Sequence, residues 1–189
     1  EYNTAYFHKL GDAQEQDELV YRDNEDPLTY NSVGGSEDNQ YLFLYKAKGT
    51  YGNEIWFKKA SEKNSNFKPL FTGYNNEYGI VDVVNDKFLV FTDDGASNKQ
   101  LVAVDPNNPE QKNWKKIIAE DKNALLEGVY TTGGKLFVKY LVNATNKLFV
   151  YDIDGKNKKE IALPGTGEIE IFPGKNTDKI LNYTYTSFN

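Results

Sequence analysis

A single imidazole, His8, is the only side chain in the 189 residues whose ordinary pKa suits it to general-base work near neutral pH, and there is no cysteine at all. Thiolate catalysis, disulfides and Cys-based zinc sites are therefore excluded together. A hydrolytic serine is expected within Gly-x-Ser-x-Gly on a strand-to-helix elbow, and Gly34-Gly35-Ser36 fails that spacing. With one His and no elbow, the chain holds no catalytic triad, and His8 reads as a structural residue within a strand running from Tyr6 to Leu10. Carboxylate pairs remain as candidates for metal binding. Asp93-Asp94 and Asp152-x-Asp154-Gly155 lack the alternating oxygen ligands and closing Glu of a calcium loop, and Lys156, Lys158 and Lys159 crowd the second. They read as hairpin turns, and no metal or other cofactor is expected. The acidic stretch Glu15, Asp17, Glu18, Asp23, Glu25 and Asp26 reads as a solvated turn and strand edge with no basic partner in sight.

The elements that would position these residues repeat. Tyr41–Tyr45, Lys87–Phe91, Lys135–Tyr140 and Lys179–Tyr183 recur roughly every 44 to 48 residues, a period of solenoids and propellers. Each of the first three is followed by a second run, at Glu54–Phe57, Gln100–Val104 and Lys147–Tyr151, and then by a third, at Phe67–Phe71, Trp114–Ile118 and Lys159–Leu163. A small-residue segment precedes each unit, at Ser32–Gly35, Gly79–Val83 and Gly128–Thr131. Short runs rich in Val, Ile, Phe and Tyr between Gly, Asn and Asp clusters are strands. Four per repeat make a β-propeller blade. Asp94-Gly95, Gly133-Gly134 and Asp154-Gly155 supply the positive φ of tight turns. Glu120–Glu127 lacks a 3.6-residue periodicity and reads as the connection into the next blade.

The phase of the repeat matters as much as its period. Tyr6–Leu10 and Glu18–Arg22 match the last two strands of a blade; Glu168–Phe172 and Lys179–Thr186 match the first two. The expected fold is all-β: one partial propeller domain over residues 1–189, with blades at about 1–26 (partial), 31–72, 78–120, 127–164 and 168–189 (partial). The half-blades expose strand edges. They could pair with each other into a fourth blade-equivalent, or exchange with a neighbouring molecule. The chain has no Met, and it reads as an internal piece of something longer.

Composition narrows the partners. A net charge of −6, with Lys interleaved among Asp and Glu, argues against nucleic acid. No run has the apolar length of a membrane helix, and no secretory signal opens the chain. The expectation is a soluble protein without a membrane partner, cytoplasmic or periplasmic. Asn143-Ala-Thr145 and Asn182-Tyr-Thr184 fit the glycosylation sequon, but nothing supplies a secretory context.

Seven segments, in order, resemble one family: Tyr6–Gly11, Ser36–Tyr41, Lys48–Trp56, Leu101–Asp105, Asn113–Lys115, Tyr151–Gly155 and Tyr185–Phe188. They resemble the non-catalytic propeller of prolyl oligopeptidases, and the resemblance covers essentially the whole chain. It implies a parent serine peptidase that cuts short peptides after proline, with its Ser, Asp and His on an α/β-hydrolase domain outside this chain. The propeller would cap that partner domain and admit only short proline-containing peptides. In animal members the loop after the second strand of the blade spanning Tyr41 to Phe71 begins with an Arg that reaches the cavity, with a Cys three positions on. Those positions align with Ala47 and Thr50, and the loop here is one residue shorter. The departure tells against the Arg contact and leaves Thr50 and Tyr51, with Ala47, as the cavity-facing candidates; a loop role without substrate contact is the reading the sequence favours over it.

Two other functions compete. One is an independent propeller serving as a protein-binding platform, although no Trp-Asp or Gly-His blade signature is present. The other is a sugar- or lactone-hydrolysing propeller with its own axial site, for which Asp82 is the one strong acid on the inner segments.

Overall fold

The computed structural model describes residues 3–187. Phe188, the end of the last family-like segment, lies outside them. Among the described residues sixteen strands form five antiparallel sheets. The first sheet is β1 (Thr4–Phe7) with β2 (Glu18–Arg22). Three four-stranded meanders follow in chain order. They comprise β3 (Tyr30–Gly35), β4 (Tyr41–Ala47), β5 (Glu54–Lys59) and β6 (Lys68–Phe71); then β7 (Tyr78–Val84), β8 (Lys87–Thr92), β9 (Gln100–Val104) and β10 (Lys115–Ile118); then β11 (Leu125–Thr132), β12 (Lys135–Val142), β13 (Thr145–Asp152) and β14 (Lys159–Ile161). A final pair joins β15 (Gly167–Phe172) to β16 (Asn182–Ser187). This half, whole, whole, whole, half pattern of propeller blades is the expected one. Each half-blade is a two-stranded sheet, β1 with β2 and β15 with β16.

The strands follow from pleat periodicity. Along β15 buried and exposed residues alternate without exception, with Gly167, Ile169 and Ile171 inward and Glu168, Glu170 and Phe172 outward. The chain divides into two compact units, Glu1–Tyr78 and Gly79–Asn189. In the first, Phe43, Leu44, Ile55, Leu70 and Phe71 are buried. In the second, Leu101, Leu126, Leu136 and Val138 pack with Tyr140 and Tyr151, and a further cluster gathers Leu148, Ile169 and Ile171. Each such aliphatic side chain contributes about 1.5–3 kcal/mol by leaving water.

Turns carry the expected glycines: Gly95, Gly133, Gly134 and Gly155 all have positive φ. Two tight turns dispense with glycine. Asn85-Asp86 and Asn143-Ala144 hold the left-handed conformation with side chains in place. No helix forms at Glu120–Glu127; Asp121 bridges to Ala124 and β11 begins at Leu125. The register of β11 against β12 shifts between Leu126 and Gly128, a bulge that leaves Glu127 without a partner residue on β12. Its carboxylate accepts from Asn146 Nδ2 at 2.8 Å and sits 3.3 Å from Lys139 Nζ.

Several strand ends differ from the sequence-based expectation, two of them in the half-blades. β1 ends at Phe7, because the chain turns through Lys9–Asp12 and Gly11 takes φ 95°. β16 starts at Asn182 rather than Lys179, since the Asp178 N–H closes a turn on the Lys175 carbonyl at 3.0 Å just before it.

Candidate functional site

In a meander, the loop joining second to third strand lies at the same end as the linkers into and out of the sheet. For the β3–β6 sheet these segments are 23–29, 48–53 and 72–77. The sequence candidates lie on or next to the second of them. Ala47 is the half-buried last residue of β4, and Thr50 and Tyr51 stand exposed on the loop, Tyr51 with 56% of its surface accessible.

The stem beneath them is tied down on both sides. On the incoming side, Lys46 Nζ lies 2.9 Å from Asp23 Oδ2, with only 15% and 8% of the two side chains accessible. Lys46 also stands 5.8 Å from the ring centroids of both Tyr21 and Trp56. Asp23 Oδ1 meanwhile accepts from the backbone N–H groups of Glu25 and Asp26. The hydrogen bond from Lys46, together with those backbone donors, holds the Asp23 carboxyl below its ordinary range in spite of burial. Burial pulls Lys46 downward, but its bonds to Asp23 and Tyr21 prevail and raise it. Lys48 Nζ pairs with Asp26 at 2.9 Å and lies 5.2 Å from the Tyr74 ring centroid. Burial, and secondarily the charge of Glu54, push the Tyr74 phenol up.

On the outgoing side Asn53 grips both backbone groups of Tyr78, whose ring stacks on Phe71 with centroids 4.2 Å apart. Glu54 accepts from the Gly73 N–H at 2.8 Å and from Trp56 Nε1 at 2.9 Å. Gly52 has φ 74°, and a Cβ there would lie 1.9 Å from the Tyr74 carbonyl oxygen. An exposed tip carrying Thr50 and Tyr51 therefore rides on a stem fixed by charge, hydrogen bonds and close backbone contact.

The acidic stretch is accordingly not the unpartnered solvated edge expected from sequence. Asp23 is buried on Lys46, Asp26 pairs with Lys48, and Asp17 Oδ1 lies 2.6 Å from His8 Nδ1. His8 sits in the loop after β1, not within a strand, and its pairing with Asp17 fixes that loop. The missing signal was long-range: the partners on β4 and its loop lie more than twenty residues away.

The remaining candidates occupy other places. Asp82 on β7 is buried and accepts from Asn176 Nδ2 at 2.9 Å and the Val83 N–H at 2.7 Å. Asp152 accepts from Asn157 Nδ2 in its own turn and pairs across the strands with Lys135, while Asp94 accepts from Gln111 Nε2 of the segment before β10 at 2.9 Å. Among the described residues no three His, Cys, Asp or Glu side chains converge, and no helix is long and apolar enough to cross a membrane.

Four-stranded antiparallel meanders flanked by two-stranded ones define a partial β-propeller, with an exposed loop tip at one end of its first whole sheet. Residues 1–189 match the prolyl oligopeptidase N-terminal β-propeller domain, and the chain belongs to that family. A prolyl endopeptidase of Elizabethkingia meningoseptica is 37% identical over 184 residues, covering 97% of this chain and 26% of the relative. A dual function macrocyclase-peptidase of Galerina marginata is 27% identical over 171 residues, covering 87% of this chain and 23% of the relative. Among solved structures, one from an analysis of two prolyl endopeptidases is 33% identical with a TM-score of 0.88, covering 98% of this chain and 27% of that one. Apo prolyl oligopeptidase B from Galerina marginata reaches a TM-score of 0.91 at 23% identity, covering 99% and 27%, a likeness of fold alone. The chain thus spans about a quarter of the length of the relatives it matches.

Proposed function

We propose that this chain is the gating part of the propeller of a serine-type prolyl endopeptidase, inert by itself. It shields the active site of an α/β-hydrolase domain in the same parent protein and restricts that site to short proline-containing peptides. The observation that carries the reading is the family match along residues 1–189, in a chain equal to about a quarter of relatives named prolyl endopeptidases. Blades at about 31–72, 78–120 and 127–164, with partial blades at 1–26 and 168–189, form the wall. Rigid sheets exclude folded proteins by size, while an extended peptide can pass and react out of bulk water.

Within that wall, Thr50 and Tyr51 face the cavity with Ala47 at their stem. The exposure of the tip and the rigidity of its base support this, because a contact residue works best on a fixed support.

The parent open reading frame tests the first part: Gly-x-Ser-x-Gly must follow this segment, with Asp and His after it. The second part is tested by presenting the parent with one proline-containing sequence as a free peptide and as a loop of a folded protein. Cleavage of the free peptide alone is expected. A parent without the serine motif, or equal cleavage of both presentations, overturns the reading.

A further inference from the structure

Four asparagines occupy one station of the repeat. Asn3 immediately precedes β1, Asn53 immediately precedes β5, Asn98 lies two residues before β9, and Asn146 is the second residue of β13. In blade register each of these strands is the third of its sheet, β1 standing as the third strand of a half-blade.

All four reach forward to the next first strand or the linker leading into it. Asn3 Oδ1 accepts the Asn31 N–H of β3 at 2.8 Å. Asn53 Oδ1 accepts the Tyr78 N–H of β7 at 2.8 Å, and its Nδ2 donates to the carbonyl of the same residue at 3.0 Å. Asn146 Oδ1 accepts the Ile169 N–H of β15 at 2.8 Å while its Nδ2 donates to Glu127. Asn98 is the variant: its Nδ2 donates to the Asp121 carbonyl at 3.0 Å, and its own carbonyl accepts the Leu126 N–H of β11 at 3.0 Å.

The need for such contacts follows from topology. β3, β7, β11 and β15 are edge strands of their sheets, so one row of backbone donors has no strand partner. Where that edge is covered, a donor without an acceptor is costly. A carboxamide on a short stem offers an acceptor and a donor in one plane, matching the N–H and C=O of a peptide unit. Aspartate offers only acceptors.

We propose that these asparagines are seam staples, a conformational device that closes each third strand onto the first strand of the following blade, so that each seam can loosen without its sheets unfolding. This does not depend on the gating function. Hydrogen exchange of the full-length protein tests it. In the wild type the Tyr78 and Ile169 amides are expected to be protected. Asn53→Leu should exchange Tyr78 roughly 3- to 10-fold faster and leave Ile169 unchanged, and Asn146→Leu should do the reverse. Asn53→Asp, which keeps the acceptor, should protect the Tyr78 amide better than Asn53→Leu does. Unprotected Tyr78 and Ile169 amides in the wild type overturn the proposal before any variant is made. Equal acceleration of both amides in either Leu variant, or of neither, also overturns it.

Discussion

The second and third strands of the first and third whole sheets are joined in opposite ways. Between β12 and β13 lies only Asn143-Ala144, with φ of 48° and 58°, and Val142 pairs directly with Thr145 across the turn. Between β4 and β5 lie the six residues Lys48–Asn53, braced by Lys48 on Asp26, by Gly52 under Tyr74 and by Asn53 on Tyr78. A two-residue turn with positive φ at both positions fits strand twist and needs no outside support. A longer loop loses more conformational entropy and keeps one shape only through contacts with neighbouring segments. The first connection serves the sheet, whereas the second presents an exposed tip at a fixed place.

The comparison breaks most sharply at Gly52. Gly52→Ala puts a Cβ against the Tyr74 carbonyl at a φ that side chains resist. The expected loss is roughly 2–5 kcal/mol in chemical denaturation of the full-length protein, or failure to accumulate. Stability unchanged by this substitution would mean that the loop is not braced on the 72–77 linker.

The ion pair under the loop comes next. Lys46→Met leaves Asp23 buried without its cation and is expected to cost about 3 kcal/mol. Asp23 is depressed in the fold, so its share of stability is complete above the unfolded value of about 3.9 and is lost as pH falls through the lower folded value. Lys46 is raised, so its share is complete below the unfolded value of about 10.4 and is lost as pH rises through the higher folded one. The difference between wild type and variant should therefore be flat from about pH 5 to 9 and collapse in acid. Lys48→Met, removing the exposed neighbouring pair, should leave the melting temperature where it was.

Much of this contrast could be read from sequence, and its limits have physical causes. Runs such as Lys87–Phe91 and Gln100–Val104 are strands because their residues suit a pleated, buried surface, information held within each run. Glycine turns were legible for the same reason. Asn143-Ala144 was not, because Ala carries no local signal for positive φ and is held there by the register of the strands it joins. The Asp23 pairing and the asparagine contacts are long-range, so no single strand reveals them. Alignment of the repeats would have put Asn53, Asn98 and Asn146 at one station, which is the signal that was available.

Ala144 tests the short connection. A residue with a Cβ at φ 58° is strained, so Ala144→Gly exchanges that strain for the greater freedom of glycine in the unfolded chain. A net gain of about 0.5–1 kcal/mol is expected in chemical denaturation. Destabilisation would show that the Ala144 methyl group makes a contact worth more than the strain.

The tip itself should contribute little to stability, and it is the part that bears on function. Thr50 and Tyr51 are exposed above their braced stem, so Thr50→Ala and Tyr51→Ala should change stability by no more than about 0.5 kcal/mol. If the tip meets the peptide in the parent enzyme, the same substitutions should raise KM for short proline-containing peptides with kcat little changed, since a contact made equally in ground and transition states is lost. Unchanged KM in both variants would reduce the tip to a loop. The stem would then be a brace between linkers, and the six residues would need another reason to be longer than the turn between β12 and β13.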